Sequence, residues 1–264
     1  VWGIGGWIRN MGALDFAGGT VVHINAGIAA LATALFIGRR KSLENSVPPP
    51  HNLPFVVLGT ALLWFGWFGF NAGSALAANG LAANAFVVTH TAAAAAGLSW
   101  AVIEWLRNGK PTMFGVASGA VAGLVAITPA AGFVSVIPAI IIGLLASVFC
   151  YIAAAVVKPA LGYDDALDAF GVHCIGGMWG ALATGLFASK LVNAAGNNGL
   201  FFGNPALFIT QLKAVGATLL YAFVMTLILY KVVDFIMGIR VNEKEESMGL
   251  DLTQHRERAY TTLE

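Results

Sequence analysis

The sequence predicts an all-α polytopic membrane protein with about seven transmembrane helices, and three observations carry that expectation. Of the 264 residues, 58% are hydrophobic and 10% charged, with a mean hydropathy of +0.78. A typical soluble domain is about 45–50% apolar and about 25% charged, so a soluble globule is excluded. The apolar residues fall into runs of roughly 20, the length that crosses a hydrocarbon core. Finally, one stretch that sets an aspartate ahead of an intramembrane histidine occurs twice.

In chain order the expected spans are 17–38, 53–76, 83–106, 113–131, 134–157, 168–191 and 206–236. The fourth is short, Gly-rich and ends at Pro129. Arg39, Arg40 and Lys41 follow the first span, and Arg107 and Lys110 follow the third. The segments after the second and fourth spans, 77–82 and 130–135, carry no charge. The positive-inside rule therefore puts the end of the first span in the cytoplasm. An odd number of spans puts the polar tail there too, so the expected division is a membrane domain over 1–238 and a cytoplasmic tail over 239–264. The tail is the one charge-rich segment, and its plain reading is a solvated terminus. Met248, Leu250, Leu252 and Tyr260 give it apolar anchors that a solubility tail does not need. The net charge of +1 and the lack of a basic cluster point away from nucleic acid. Cys150 and Cys174 both lie in apolar runs and imply no disulfide framework. The 32 glycines suit helices that pack closely through small residues. The opening Val1-Trp-Gly-Ile-Gly-Gly-Trp7 reads as the middle of a longer chain, with no signal-peptide pattern.

The repeat is Asp15-Phe-Ala-Gly-Gly-Thr-Val-Val-His23-Ile-Asn-Ala-Gly27 against Asp165-Ala-Leu-Asp168-Ala-Phe-Gly-Val-His173-Cys-Ile-Gly-Gly177. In each copy the aspartate precedes the histidine by eight residues, valine stands before the histidine and glycine four after it. Further on, Ala30-Leu-Ala-Thr-Ala-Leu-Phe36 matches Ala181-Leu-Ala-Thr-Gly-Leu-Phe187. Ionisable groups inside spans are costly and usually face a cavity or pathway. One such histidine is more often a neutral imidazole bonding a neighbouring helix. Two at matching positions are expected to meet near mid-membrane, where repeat-built transporters place their sites. Adjacent neutral imidazoles share one hydrogen bond, donor to acceptor, and burial disfavours their charged form. A species able to give up a proton can use such a pair. A metal ion would want a third or fourth ligand; His90 is the remaining intramembrane histidine, and neither metal nor cofactor is expected.

Asp15, Asp165 and Asp168 sit at helix starts, where a carboxylate caps the first turn and suits the helix dipole. A structural role is the default for all three, with a second role at the entrance for Asp15. In Trp64-Phe-Gly-Trp67-Phe-Gly-Phe70-Asn-Ala-Gly-Ser74, the residues Trp67, Phe70 and Ser74 share one helical face. The plain reading is an aromatic packing seam. The functional one is a wall of rings ending in a hydroxyl. Such a wall attracts a small cation by cation–π interaction worth about 0.5–2 kcal/mol, and Trp2 would complete the cage.

At these residues the chain resembles the ammonium transporter (Amt/Mep/Rh) superfamily, and its bacterial Amt branch closely. The resemblance also rests on Pro50-His-Asn-Leu-Pro54, Gly119-Ala-Val-Ala-Gly-Leu-Val125, Gly249-Leu-Asp251, His255 and Ala259-Tyr260, and it covers essentially the whole chain. It implies an eleven-span inverted-repeat fold, with the seven spans here corresponding to the fifth to eleventh, and assembly as a homotrimer in the plasma or inner membrane. It further implies that His23 and His173 are twin pore histidines. Trp2 and Ser74 would belong to an outer ammonium recruitment site, Phe70 to a phenylalanine gate, Trp67 to the pore wall, and Asp15 to the buried aspartate near the recruitment site. The tail is similar to the segment that couples subunits and, in many members, docks a PII-type nitrogen regulator. Three departures stand against this pattern. The family's first four spans, which carry further entrance aromatics, have no counterpart here. The Trp2–Asp15 spacing is one residue longer than the commonest one, and Arg256 follows His255 where many members have glycine. The function implied is ammonium or ammonia transport rather than enzymatic chemistry. An ammonium sensor with regulatory output, an Rh-type ammonia channel and an intramembrane metalloenzyme remain alternatives to the sequence.

Overall fold

The structure, a computed structural model, describes residues 1–41 and 50–258. Among them there is no strand, and six helices are long and apolar enough to cross a membrane. In chain order, α1 is Gly19–Ile37, α2 Leu53–Gly73, α3 Gly80–Asn108, α5 Val136–Leu161, α6 Phe170–Phe187 and α7 Pro205–Met237. Between α3 and α5 lies the shorter α4, Met113–Ile127. The fourth expected span is thus a 15-residue helix about 22 Å long at 1.5 Å per residue. It stops where Thr128 and Pro129 turn the chain, and every residue from Leu124 to Val134 is buried.

Side-chain caps start several helices where the sequence places Asn or Thr. Asn52 accepts from the Phe55 N–H at 3.1 Å, Asn79 from Ala82 at 3.0 Å, and Thr112 from Gly115 at 2.9 Å. Each takes one of the donors that a helix start leaves without a partner. At the α3–α4 turn the buried Glu104 carboxylate accepts from the Thr112 N–H at 2.7 Å and its hydroxyl at 2.9 Å.

The core is made of small residues rather than large ones. α3, α4 and α5 pack through Ala92, Ala93, Ala96, Gly119, Gly123 and Gly143. A methyl group at Gly123 would meet the Ala92 carbonyl oxygen at 2.5 Å, so only glycine permits this approach. Hydroxyls join the backbones directly, Ser147 donating to the Ala96 carbonyl at 2.6 Å and Ser99 to Leu144 at 2.9 Å.

The two histidine-bearing helices run antiparallel. Arg40, just past the end of α1, clamps Asp164 ahead of α6, with Nε and Nη2 each 2.7 Å from a carboxylate oxygen and the Arg40 N–H at 3.0 Å. At the other end, Phe133 accepts from the Ser189 N–H at 2.9 Å and packs edge-on against Phe16 at 5.8 Å. The start of each helix therefore lies beside the end of the other. Both end fourteen residues past their histidine, so the structural repeat is 150 residues. The Ala30–Phe36 and Ala181–Phe187 similarity is one residue out of that register.

The tail lies at the Arg39 end of the bundle. Arg240 donates to the Ile37 and Arg39 carbonyls at 2.7 and 2.6 Å and pairs with Glu246 at 3.0 Å; Glu246 also accepts from the Lys41 N–H at 2.7 Å. Glu246 belongs to a short helix, α8, Glu243–Met248. Of the expected tail anchors, Met248, Leu250 and Leu252 are exposed, and Tyr260 lies outside the described residues.

Candidate functional site

Each histidine sits in a widened, π-helical first turn, Gly19–Ile24 in α1 and Phe170–Cys174 in α6, a feature often found at functional sites. The aspartates make these turns possible. Asp15 accepts from the N–H groups of Gly18 at 3.1 Å, Thr20 at 3.0 Å and Val21 at 3.0 Å. Asp165 accepts from Ala169 at 3.0 Å and Phe170 at 2.8 Å. Both carboxylates are buried, and each satisfies helix-start donors that would otherwise be orphaned. Asp168 reaches a structural role by another route. Its φ of 53° takes the residue out of helical geometry, its carbonyl accepts from the Val172 N–H at 2.8 Å, and its carboxylate pairs with Lys158 instead of capping.

The repeat's glycines set where the helices cross. A methyl at Gly27 would lie 2.7 Å from the Cβ and 2.8 Å from the Cα of Cys174, the residue after His173. One at Gly177 would lie 3.2 Å from the Cβ of His23 and 3.1 Å from Cγ1 of Ile24, the residue after His23. Each glycine, four residues beyond its own histidine, thus seats against the other histidine's neighbourhood. The outcome is direct contact: His23 Nδ1 and His173 Nδ1 are 3.1 Å apart and the ring centroids 5.2 Å apart.

At that distance one Nδ1 donates and the other accepts. The donor ring keeps a bare lone pair at Nε2 and the acceptor ring carries its proton there. The pair therefore offers one acceptor and one donor, and the roles exchange only when the Nδ1 proton shifts while the bare Nε2 gains a proton and the other Nε2 gives one up. His23 is 4% exposed, and its Nε2 has no protein partner. Trp67 stacks on the His23 ring at 5.3 Å and 14°. Phe70 lies 6.0 Å from the same ring and 5.6 Å from Trp67, edge-on to the indole.

Trp2 and Ser74 are held separately. Trp2 Nε1 donates to the Asp15 carbonyl at 2.8 Å, and the Ser74 hydroxyl donates to the Phe70 carbonyl at 2.8 Å. Among the described residues no hydrogen bond or ring contact joins Trp2 to Ser74 or Phe70. His90 packs against Trp64 at 5.3 Å and Phe68 at 6.1 Å, away from the pair's own contacts. No group of three His, Cys, Asp or Glu side chains among the described residues is placed to hold a metal ion.

Sequence reasoning passed over Thr128, which receives the Trp67 Nε1–H at 2.9 Å, and Gln211, which clamps the segment ahead of α1. The Gln211 side chain accepts from the Leu14 N–H and donates to the Leu14 carbonyl, both at 2.8 Å, and donates to Ala181 at 2.9 Å. A glutamine within a membrane-length span was the available signal for the latter, and the structure buries it to 1% exposure.

Comparison with known proteins gives one answer throughout. Residues 1–260 match the model of the Ammonium Transporter Family. An ammonium transporter of Bacillus subtilis (strain 168) is 54% identical over 260 residues, covering 98% of this chain and 64% of that protein. Ammonium transporter Amt1 of Archaeoglobus fulgidus is 56% identical over 262 residues, covering 99% of this chain and 66% of its own length. The chain thus spans somewhat under two thirds of these relatives. In structure it is similar to Mep2 of Candida albicans, with a TM-score of 0.87 at 39% identity over 96% of this chain and 58% of that one. It is also similar to a solved Sensor Amt Protein, with a TM-score of 0.85 at 31% identity over 94% of this chain and 62% of that one. A family model matched over nearly the whole length, half-identical relatives and solved structures of similar fold agree: the chain belongs to the ammonium transporter family.

Proposed function

We propose that this chain forms part of an ammonium transporter in which ammonia crosses the membrane along His23 and His173. The observation that carries the reading is the buried Nδ1···Nδ1 contact of 3.1 Å between histidines of two inverted repeats. Ammonia both donates and accepts hydrogen bonds, so it matches a pair that presents one lone pair and one N–H. A bare metal cation offers no proton and finds no free carboxylate there, because Asp15 already accepts from three backbone donors. Replacing a lost hydration shell is what a buried cation needs, and two neutral imidazoles do not supply it.

Ahead of the pair, ammonium is recruited at an outer aromatic site to which Trp2 and Ser74 contribute, passes the Phe70 gate and gives up a proton. Trp67 forms the adjoining wall. The membrane part, 1–238, works as a homotrimer in the plasma membrane, and the tail, 239–264, faces the cytoplasm, where a PII-type regulator is its expected partner. The family relation, the apolar helices and the tail's contacts beside Arg39–Lys41 support this arrangement.

The likeness to a Sensor Amt Protein favours a second reading, in which the same membrane part binds ammonium and signals. One experiment serves both. In proteoliposomes carrying the complete protein, wild type is expected to move ammonium, and His23→Ala to let potassium compete. An unchanged ammonium-over-potassium ratio in the mutant sinks the histidine role; a wild type that binds ammonium without moving it favours the sensor.

A further inference from the structure

We infer that Thr128 is a positioning residue of the histidine pair: its hydroxyl fixes the Trp67 indole, and the indole fixes the His23 ring. The inference rests on the reading of His23 and His173 as the conduction path.

Thr128 follows the last residue of α4 and is fully buried. Its Oγ1 donates to the Leu124 carbonyl at 2.7 Å. Taken alone, that bond is the common local habit of a threonine at the end of a helix. Its consequence is not local. With the hydroxyl hydrogen committed to Leu124, the oxygen's lone pairs face the indole, and Trp67 Nε1–H donates to it at 2.9 Å. A hydroxyl has one hydrogen to give and two lone pairs to accept with, so both bonds stand together. A tryptophan side chain has only two torsions; fixing Nε1 fixes the ring plane. That plane lies 14° from the plane of the His23 imidazole, while Phe70 closes on the indole at 71°.

The same residue reaches His23 by a second path. The Thr128 carbonyl accepts from the Ala17 N–H at 3.2 Å, and the Pro129 carbonyl from the Phe16 N–H at 3.1 Å. These bonds pin the segment whose aspartate builds the His23 turn. Side chain and backbone of one threonine therefore locate His23 from its ring face and from its helix start. Remove the hydroxyl alone and the backbone path survives, but the Trp67 N–H becomes a buried donor without a partner. An orphaned buried donor is expensive, and the indole relieves it by turning, which releases the His23 ring.

The test uses the complete protein in proteoliposomes and reads the ratio of ammonium to potassium flux. Thr128→Val keeps the volume and removes the hydroxyl, and lowers the ratio by about tenfold. Thr128→Ser keeps the hydroxyl and restores the wild-type ratio. Trp67→Phe has no N–H, so adding Thr128→Val to it changes nothing further; this non-additivity marks residues acting through one bond. A Thr128→Val ratio equal to wild type overturns the inference, as does a fall in both fluxes that only follows the amount of folded protein. So does an additive effect in the Trp67→Phe background. A His23→Ala ratio equal to wild type overturns the functional reading and this inference with it. An altered His23→Ala ratio beside an unaltered Thr128→Val ratio sinks the positioning role alone.

Discussion

Adding one methyl group at Gly27 should separate the histidines. The new carbon would stand 2.7 Å from Cys174 Cβ and 2.8 Å from Cys174 Cα, whereas carbon atoms in contact prefer about 3.5–4.0 Å. Neither neighbour can swing aside, since both belong to or adjoin the α6 backbone. The helices must therefore part by about 1 Å at the crossing to restore ordinary contact. The Nδ1···Nδ1 distance of 3.1 Å is already near the upper end of a hydrogen bond, and an added ångström ends it. Overpacking of this kind costs about 1–3 kcal/mol. Gly27→Ala is thus expected to lower the thermal midpoint of the purified protein and to reduce ammonium flux in proteoliposomes. Gly177→Ala should do the same more mildly, because its methyl would meet His23 Cβ at 3.2 Å and the Gly19 carbonyl at 2.9 Å. Gly59→Ala is the control: nothing lies within 4 Å of its added methyl, so neither quantity should fall. A folded Gly27→Ala protein with the midpoint and flux of wild type would refute the claim that this contact sets the pair.

Two further outcomes follow from the ends of the same helices. Asp15→Asn leaves one acceptor oxygen where the carboxylate serves three N–H donors; losing part of that cap should cost about 1–3 kcal/mol in thermal unfolding and reduce flux, and an unshifted midpoint would show that the cap is dispensable. The Asp164–Arg40 clamp predicts a pH dependence. Partial burial would raise the Asp164 carboxyl, but the Arg40 bonds outweigh it and hold the group below its ordinary 3.8. A carboxylate depressed in the folded state contributes stability that is complete above the ordinary value and is lost as pH falls through the lower one. The midpoint difference between wild type and Asp164→Asn should therefore be constant from neutral pH down to about 5 and shrink below about 4. With Arg40 41% exposed on its side chain, solvent screening limits the difference to about 0.5–1 kcal/mol. A difference that persists undiminished at the lowest pH contradicts the sign of this linkage.

What could be read in the chain depended on whether a residue's signal was its type or its company. His23 and His173 stand out because an ionisable residue inside an apolar run has to be paid for by some neighbour, and the duplicated Asp-x7-His-x3-Gly pattern named that neighbour. The part the repeat's glycine plays came only with the structure, in which each glycine sits one helical turn from its histidine and against the partner helix. The fourth span falls where it is expected but ends a few residues short of 131: Pro129 cannot donate and the chain turns there, so the helix ends at Ile127 and the buried turn takes its partners from Phe16 and Ala17. Thr128 was invisible for a different reason. A threonine at the end of an apolar helix is unremarkable by type, and its importance lies in an indole 61 residues away in sequence. Arg256 shows the converse, a departure from the family pattern whose backbone setting only the structure gives. Its φ of 58° lies in the left-handed region that glycine enters freely and other residues enter at a cost of about 1–2 kcal/mol. Motif spacing thus picked out the histidines and their capping aspartates, whereas contacts such as Thr128 with Trp67 and Gln211 with Leu14 are found only once the fold has closed the distance.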